Sequence, residues 1–365
     1  MKTIKVRLGR RSYPVLVGGG VLSRAGSIAR KVAGRAKVFV VTSSPVRKLY
    51  GGKLVRSCRA AGISPKWLVV PDGERAKTFT VLAGLLRSMA QNGASRDSCV
   101  VALGGGTVGD LAGFAAAVYA RGIPVIQVPT TLLAQVDASI GGKTGIDLPE
   151  GKNLAGVFHH PVAVLADTSV LDTLSGRQYR SGLAEVVKYG VISSPLLFSR
   201  IERNIPGILR REPELLAGII AECACIKAGV VSRDERESGL RMILNFGHTI
   251  GHAVESVSGY RLLHGEAVSI GMVAAARISA GIGLCPQAVP ERLSGLLAQL
   301  GLPVRIPGGL SRVDIMRIMR RDKKMRGACL RFVLTRSIGD VTVSDGVKSG
   351  EILDSLTDRG GKHSS

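Results

Sequence analysis

The sequence predicts an α/β fold in the first half of the chain and a mainly helical fold in the second half. In the first half, short apolar β-rich runs alternate with helical stretches, which is the pattern of a parallel, doubly wound sheet. After about Asp172, long helical patterns follow one another with few strand signals. Because such a sheet binds ligands at the carboxyl ends of its strands, we expect a ligand site there.

The elements of the first half are short and regularly spaced. The predicted strands are residues 37–42, 67–70, 98–103 and 125–128, and helical stretches between them include residues 46–61 and 80–92. The second half is predicted to contain helices at residues 181–192, 213–231, 244–256, 264–280 and 288–300, followed by a β element at residues 332–335 and 341–343.

The change of pattern near residues 170–175 predicts a domain boundary. A chain of 365 residues is long enough for two domains at roughly 150 residues each. We expect an α/β domain over residues 1–171 and a helical domain over residues 172–357. Residues 358–365 contain no apolar side chain and are predicted to be a disordered tail.

The composition is that of a globular protein with a large positive charge. The chain has 50 Lys+Arg against 27 Asp+Glu, a formal net charge of +23, and 45% apolar residues. Residues 1–71 contain 16 Lys/Arg and no acidic residue. This charge raises the hypothesis of nucleic-acid binding, but no RNP pattern, zinc-finger spacing or clear helix-turn-helix signature accompanies it. A solvated basic face is therefore the favoured interpretation, and we expect no nucleic-acid partner.

Apolar runs and cysteines indicate a soluble, cytoplasmic protein without a membrane partner. Runs such as residues 111–120 and 270–276 are shorter than the roughly 20 residues that span a bilayer. The first residues, MKTIK, lack the apolar region of a signal peptide. The six cysteines are scattered without a C-x-x-C pair, which is not the pattern of a disulfide scaffold.

A glycine-rich segment follows the third predicted strand. Residues 104–110 (GGGTVGD) lie between that strand and a helical stretch. Glycines at this position let the backbone approach a phosphate, whose charge the helix N-terminus favours. The segment lacks both the Walker A pattern and the usual G-x-G-x-x-G spacing, so a tight turn stays open beside dinucleotide binding.

Three of the six histidines lie within 17 residues, at His248, His252 and His264. His248 and His252 are four residues apart and share one face of a helix. Because imidazole is the commonest metal ligand, the cluster favours a metal or acid–base site over simple packing. Glu185 is the best candidate for a third ligand. It precedes Lys188 by three residues in an apolar stretch, and an exposed ion pair is the alternative for these two.

Several cations stand beside glycines or short polar residues, which suits recognition of a small anion carrying phosphate or carboxylate. Each of them taken singly is also compatible with a surface role. They are Arg121, Lys143, Lys152, Lys227, Arg241, Lys323 and Lys324.

Taken in order, these segments resemble the 3-dehydroquinate synthase family of sugar-phosphate cyclases over nearly the whole chain. The matching segments are residues 72–77 (DGERAK), 104–110, 127–131 (QVPTT), 137–144 (DASIGGKT), 151–154 (GKNL), 184–190 (AEVVKYG), 234–237 (DERE) with Arg241, 244–252 (LNFGHTIGH), 263–266 (LHGE) and 322–327 (DKKMRG). The resemblance implies a Rossmann-like NAD-binding domain over residues 1–171 and a helical metal- and substrate-binding domain over residues 172–357.

The resemblance also implies the site residues. A Zn²⁺ or Co²⁺ ion would be held by Glu185, His248 and His264. NAD would be bound by Asp72, Glu74, Lys77, Gly104, Gly105, Gly106, Val108, Asp110, Thr130, Thr131, Lys143, Lys152 and Thr173. Substrate contacts or catalytic roles would fall to Arg121, Asp137, Lys143, Asn153, Lys188, Lys227, Arg241, Asn245, His252 and Lys324, with His252 transferring protons.

The family reaction converts 3-deoxy-D-arabino-heptulosonate 7-phosphate into 3-dehydroquinate and phosphate, in the shikimate pathway. NAD-mediated transient oxidation is followed by phosphate elimination, re-reduction and an intramolecular aldol closure, so the enzyme is a lyase. The resemblance further implies a homodimer, in which Arg121 reaches the phosphate across the interface.

Two other enzyme classes stay open. One is a sister cyclase that makes a different ring from another sugar phosphate, such as a 2-deoxy-scyllo-inosose or valiolone-type synthase. The other is a metal-dependent polyol dehydrogenase. Arg241 favours dehydroquinate synthesis, because the substrate carboxylate needs a bidentate cation. Ser43 departs from the family, many of whose members have an acidic residue or Asn there, suited to a ribose hydroxyl.

Overall fold

The computed structural model describes residues 1–326 and 330–357, and the side chains of these residues except 321–326. The predicted tail, residues 358–365, lies outside this part. The strands are β1 Lys2–Val6, β2 Tyr13–Gly18, β3 Val38–Ser43, β4 Lys66–Val70, β5 Cys99–Gly104, β6 Val125–Pro129, β7 Lys143–Leu148, β8 Gly151–Phe158, β9 Ala163–Asp167, β10 Phe332–Ser337 and β11 Asp340–Ser344.

The α-helices are α1 Ala25–Ala33, α2 Ser44–Ala60, α3 Phe79–Gln91, α4 Gly106–Val118, α5 Gly176–Ser193, α6 Pro195–Arg203, α7 Ile205–Leu209, α8 Pro213–Arg233, α9 His248–Val257, α10 His264–Gly281, α11 Ala288–Gln299, α12 Arg312–Arg326 and α13 Ser349–Ser355. Short 3₁₀ segments are Gly9–Arg11, Val21–Arg24, Gly73–Ala76, Tyr119–Arg121, Thr168–Thr173 and Leu240–Asn245, and Ala134–Ala138 is a π-helical turn.

The chain forms two compact units, and α8 belongs to the first. Unit 1 comprises Met1–Ser175 and Arg211–Arg236, and unit 2 comprises Gly176–Arg210 and Glu237–Ser365. The prediction has a single boundary after residue 171, whereas α8 packs on β1, β2 and the turn Ala134–Ala138 of unit 1. An apolar helix pattern shows that a helix is buried but not which unit buries it, so this return of the chain was not predictable.

The large sheet of unit 1 is doubly wound, as predicted. Its strand order is β1–β2–β9–β6–β5–β3–β4, with β1 antiparallel to β2 and the other neighbours parallel. Alternate residues of β3 enter different clusters, since Phe39 packs with Leu85 of α3 and Leu111 of α4. Val40 packs instead with Leu54 of α2. Both faces are therefore covered by helices, which explains the continuous apolar strand sequences.

The hairpin β7–β8 was not predicted, because glycines interrupt both of its strands and β8 is largely exposed. In its register Gly145 lies opposite Gly156. A Cβ on Gly156 would stand 2.1 Å from the carbonyl oxygen of Thr144, so no larger residue fits this close approach of the strands. These glycines carry no apolar alternation, which is the signal that identifies a strand in sequence.

Helix α8 is also long and apolar enough to cross a membrane, judged by length and composition alone. Its 18-residue window has a mean hydropathy of 1.8, and 61% of that window is buried inside the protein. The core helix of a soluble protein has the same properties. The predicted helix 213–231 was not considered as a candidate membrane span, because only uninterrupted apolar runs were compared with the length of a span.

Unit 2 is mainly helical in its described residues, and an apolar cluster joins α9, α10 and β10. Ile250, Ile270 and Phe332 belong to it. The predicted helix 244–256 was wrong at its start, because Leu240–Asn245 is a 3₁₀ segment and α9 begins at His248. Gly247, with φ of 79°, separates the two, and a Cβ there would lie 2.5 Å from Met272. His248 is thereby placed in the first turn of α9.

Candidate active-site residues in each unit

Unit 2 brings together a carboxylate and two imidazoles from three helices. Glu185 lies in α5, His248 begins α9 and His264 begins α10. One ligand atom from each lies within 4.8 Å of the others. Glu185 Oε1 is 3.7 Å from His248 Nε2 and 3.5 Å from His264 Nε2, so the same nitrogen of each ring faces the carboxylate.

The donor set fits a divalent transition metal. Glu185 is fully buried, and a buried carboxylate needs compensating positive charge. Lys188 Nζ contacts Glu185 Oε2, and Lys188 is itself only 1% exposed. The alternative of an exposed ion pair for these two residues is therefore wrong. One carboxylate oxygen and two imidazole nitrogens are a typical set for catalytic zinc, which leaves a position for water or substrate.

The pKa values of the two histidines are shifted in opposite directions. Burial lowers the pKa of His248 well below its usual value, and Lys188 lowers it further, which favours the neutral imidazole. Burial also acts to lower the pKa of His264, but hydrogen bonds to Glu185 and Glu255 outweigh it and raise this pKa to about 9. A metal ion at this cluster therefore competes with a proton on His264.

The other predicted residues of unit 2 lie around this cluster or on the preceding 3₁₀ segment. His252 is exposed, and its ring centroid is 5.2 Å from that of His248 and 5.8 Å from that of His264. Arg241 is 2% exposed and lies in Leu240–Asn245. Lys324 lies outside the residues whose side chains the structure describes.

Glu237 is a residue to which sequence reasoning assigned no role. Asn245 Nδ2 donates to Glu237 Oε1 at 2.7 Å, so Glu237 contacts a predicted substrate residue. Its φ of 61° is unusual for a residue with a side chain. The segment DERE was part of the family match, which was the available signal, but nothing in the spacing pointed to this contact.

The glycine-rich segment of unit 1 joins a strand to a helix, as predicted. β5 ends at Gly104, Gly105 caps α4, and α4 begins at Gly106. A Cβ on Gly105 would lie 3.1 Å from Thr131 Cγ2, and the Thr130 amide donates to the Gly104 carbonyl at 2.9 Å. The missing side chains leave the first amides of α4 approachable, which suits a dinucleotide phosphate.

Ser43, the residue that departs from the family pattern, is the last residue of β3. It directly follows Thr42, which pairs with Leu103 of the neighbouring strand β5. It is fully buried, and within the described residues its hydroxyl has no hydrogen-bond partner. Val108, a predicted cofactor residue on α4, is only 4% exposed and packs in the core.

The buried Lys77 is the centre of a polar cluster in unit 1. Its Nζ lies 2.9 Å from Asp110 Oδ2 and 3.8 Å from Asp147 Oδ1, and it also contacts the Asn153 amide oxygen. Burial acts to lower the pKa of Lys77, but Asp110 and other carboxylates raise it above its usual value. Predicted cofactor residues Lys77 and Asp110 thus meet the predicted substrate residue Asn153.

Glu74 lies next to this cluster and to the glycine-rich segment. Its carboxylate accepts a hydrogen bond from Thr107 Oγ1 at 3.2 Å and lies 3.6 Å from Lys152 Nζ. Asp72, also predicted to bind the cofactor, precedes the 3₁₀ segment Gly73–Ala76.

A second contact joins α8 to the turn Ala134–Ala138. Lys227 is 5% exposed and donates to the Asp137 carbonyl and to its carboxylate, both at 2.7 Å.

Three further predicted residues lie elsewhere in unit 1. Thr173 contacts the Tyr50 hydroxyl. Lys143 is exposed at the start of β7, and Arg121 is exposed with φ of 67°.

Comparisons with known proteins show the family to which the chain belongs. The family model described as 3-dehydroquinate synthase N-terminal matches residues 67–181, and that described as 3-dehydroquinate synthase C-terminal matches residues 182–325. A 3-dehydroquinate synthase of Geobacter metallireducens is 49% identical over 355 residues, covering 97% of this chain and 98% of the relative. The chain belongs to the 3-dehydroquinate synthase family.

Solved structures of sister cyclases share the fold of this 3-dehydroquinate synthase family member. A 2-epi-5-epi-valiolone synthase from Streptomyces hygroscopicus, with NAD⁺ and Zn²⁺ bound, has a TM-score of 0.88 and 30% identity, covering 96% of this chain and 97% of the other. A 2-deoxy-scyllo-inosose synthase complexed with carbaglucose-6-phosphate, NAD⁺ and Co²⁺ has a TM-score of 0.88 and 28% identity, covering 97% and 99%.

Proposed function

We propose that this chain is a 3-dehydroquinate synthase that uses NAD⁺ and Zn²⁺ or Co²⁺. The observation that carries the proposal is the Glu185–His248–His264 cluster, in a chain 49% identical to a 3-dehydroquinate synthase over nearly its full length. The reaction converts 3-deoxy-D-arabino-heptulosonate 7-phosphate into 3-dehydroquinate and phosphate, as a step of the shikimate pathway.

The residues proposed for the two cofactors lie in different units. In unit 2, Glu185, His248 and His264 would hold the metal. In unit 1, NAD would be held by Asp72, Glu74, Lys77, Gly104, Gly105, Gly106, Val108, Asp110, Thr130, Thr131, Lys143, Lys152 and Thr173. When bound, NAD⁺ supplies reversible hydride acceptance and the divalent metal supplies Lewis-acid polarisation.

The chain's own residues bind and orient the substrate. The buried guanidinium of Arg241 offers a bidentate partner for the substrate carboxylate. His252 is exposed beside the cluster and is proposed to transfer protons at substrate hydroxyls. The remaining proposed contacts are Arg121, Asp137, Lys143, Asn153, Lys188, Lys227, Asn245 and Lys324.

We also propose a homodimer, and the hairpin β7–β8 supports it. Leu154 is 53% exposed and Phe158 is 41% exposed, so the exposed face of the hairpin carries apolar side chains from β8. Next to Phe158, His159 Nε2 is 2.9 Å from the Ile123 carbonyl, which places this apolar face near Arg121. Exposed apolar patches of this kind mark interaction surfaces. We propose the cytoplasm as the location of the dimer.

A panel of three sugar phosphates tests the substrate. The full-length protein, loaded with Zn²⁺ and supplied with NAD⁺, is incubated with 3-deoxy-D-arabino-heptulosonate 7-phosphate, glucose 6-phosphate or sedoheptulose 7-phosphate, and phosphate release is measured. We expect release only from the first, because only this substrate carries the carboxylate that Arg241 would bind. Turnover of either other sugar phosphate, without turnover of the first, would identify a sister cyclase instead.

A further inference from the structure

Glu255 is a buried carboxylate on α9 that reaches the histidine at the start of α10. It is 7% exposed, and its Oε2 lies 3.6 Å from His264 Nδ1. On α9 it follows His248 by seven residues and His252 by three, so all three share one face of the helix. This face of α9 therefore carries the imidazoles of His248 and His252 and a carboxylate directed at the imidazole of His264.

The two nitrogens of each candidate ligand histidine face different partners. His264 Nε2 lies 3.5 Å from Glu185 Oε1, while its Nδ1 faces Glu255. His248 Nε2 lies 3.7 Å from the same oxygen, while its Nδ1 lies 3.1 Å from the Phe246 carbonyl. In a neutral imidazole one nitrogen donates and the other accepts. An acceptor at Nδ1 therefore leaves the lone pair on Nε2, the nitrogen that faces Glu185.

We infer that Glu255 is a positioning residue for the metal: it accepts the Nδ1–H of His264 and so presents Nε2 of that ring together with Glu185 and His248. A carboxylate behind a ligand imidazole fixes the tautomer and ring orientation and makes the ligand nitrogen more basic. The inference rests on the proposed function, because it assigns Glu255 to the metal site proposed there.

The Nδ1 atoms of His248 and His264 face different kinds of partner, so the orientations of the two rings depend on side chains to different degrees. The partner of His248 is a backbone carbonyl, which no side-chain substitution removes. The partner of His264 is a side chain, and the His264 side chain is 30% exposed, against 12% for His248. His264 is thus the less enclosed ligand, and its orientation depends on Glu255.

Zinc affinity of variants at position 255 tests the inference. Full-length wild type, Glu255→Gln and Glu255→Ala are titrated with Zn²⁺ against a competing chelator. Glu202→Gln is the matched control, since Glu202 pairs with Arg292 at 2.6 Å elsewhere in unit 2. We expect Glu255→Ala to weaken zinc binding by about 10- to 100-fold. Glu255→Gln should lose less, because its amide oxygen still accepts the Nδ1–H, and the control should match wild type.

The absorption spectrum of the Co²⁺-loaded proteins gives a second readout that a merely structural role would not move. We expect the cobalt bands of Glu255→Ala to shift, because the orientation of His264 changes, and those of the Glu202→Gln control to stay in place. Folded Glu255 variants with wild-type zinc affinity and an unchanged cobalt spectrum would overturn the inference alone. Failure of wild type to bind either metal would overturn the proposed metal site and the inference with it.

Discussion

At the scale of single residues, burial and charge decide which side chains suit a metal. The Glu185 carboxylate is removed from water, and its neighbours are the Lys188 ammonium and two imidazoles. Removing one partner of such a buried group leaves uncompensated charge, which is costly. The packing of α5, α9 and α10 at this cluster therefore depends on compensation of the negative charge of the Glu185 carboxylate.

Replacing His264 should remove the metal and the activity together. His264→Ala takes away one of the three proposed ligands, so we expect less than one equivalent of zinc in the purified protein and loss of turnover. His252→Ala is the matched control. Its ring lies 5.8 Å from that of His264, yet it is assigned to proton transfer, so it should keep the zinc and lose turnover. A His264→Ala protein with one full equivalent of zinc would refute the ligand assignment.

Spacing along the chain indicated only part of this cluster. The separation of His248 and His252 predicts a shared helix face, and the structure confirms that their rings are neighbours. Glu185 lies in another helix, 63 residues before His248, so local periodicity could not reveal their contact. The apolar stretch around Glu185 made it the candidate for a third ligand, and the family resemblance then implied the complete set of Glu185, His248 and His264. Neither Glu237 nor Glu255 received a role, because each depends on a tertiary contact.

At the scale of elements, four parallel strands of the large sheet were predicted closely, although the equally buried parallel strand β9 was not. β3, β4, β5 and β6 agree with the predicted runs to within one residue at each end. β3, β5 and β6 are buried along their length and are continuous apolar runs, whereas β4 is the edge strand and is partly exposed. The strands β1, β2, β7, β8 and β9 were missed. β1 alternates apolar and basic residues at the edge of the sheet, and β7–β8 is glycine-rich, so neither resembles a core strand.

The exposed face of β8 should control assembly. Phe158→Ser combined with Leu154→Ser removes two exposed apolar side chains from this face, and we expect the protein to sediment as a monomer where wild type sediments as a dimer. Leu196→Ser is the matched control, because Leu196 is 79% exposed at the start of α6, in unit 2. A wild type that is monomeric at micromolar concentration, or a double variant that remains dimeric, would contradict the proposed interface.

At the scale of the whole molecule, the net charge of +23 says little about the reaction. Residues 1–71 hold 16 of the basic residues and no acidic one, and all but Arg30 of these are exposed. The cations proposed to bind substrate lie between Arg121 and Lys324, outside that segment. Placement of a few cations, such as the buried Lys188, Lys227 and Arg241, is thus more informative than the total charge.

The order of elements along the chain does not show which of the two units each element joins. Residues 172–357 were predicted as one helical domain, yet α8 belongs to unit 1, where Lys227 donates a hydrogen bond to Asp137. The functional assignment of the two predicted domains stays a prediction. The proposed chemistry draws on residues of both units, and so the decisive test must use the full-length protein.

The central claim is that NAD⁺ is reduced and reoxidised within one turnover. Full-length protein with Zn²⁺ is given 3-deoxy-D-arabino-heptulosonate 7-phosphate and NAD⁺ in an amount well below that of the substrate, and phosphate and NADH absorbance are followed together. The account predicts that the phosphate released exceeds the NAD⁺ supplied, with no net rise in NADH. Accumulation of NADH in step with product, ending when NAD⁺ is exhausted, would contradict it and indicate a polyol dehydrogenase.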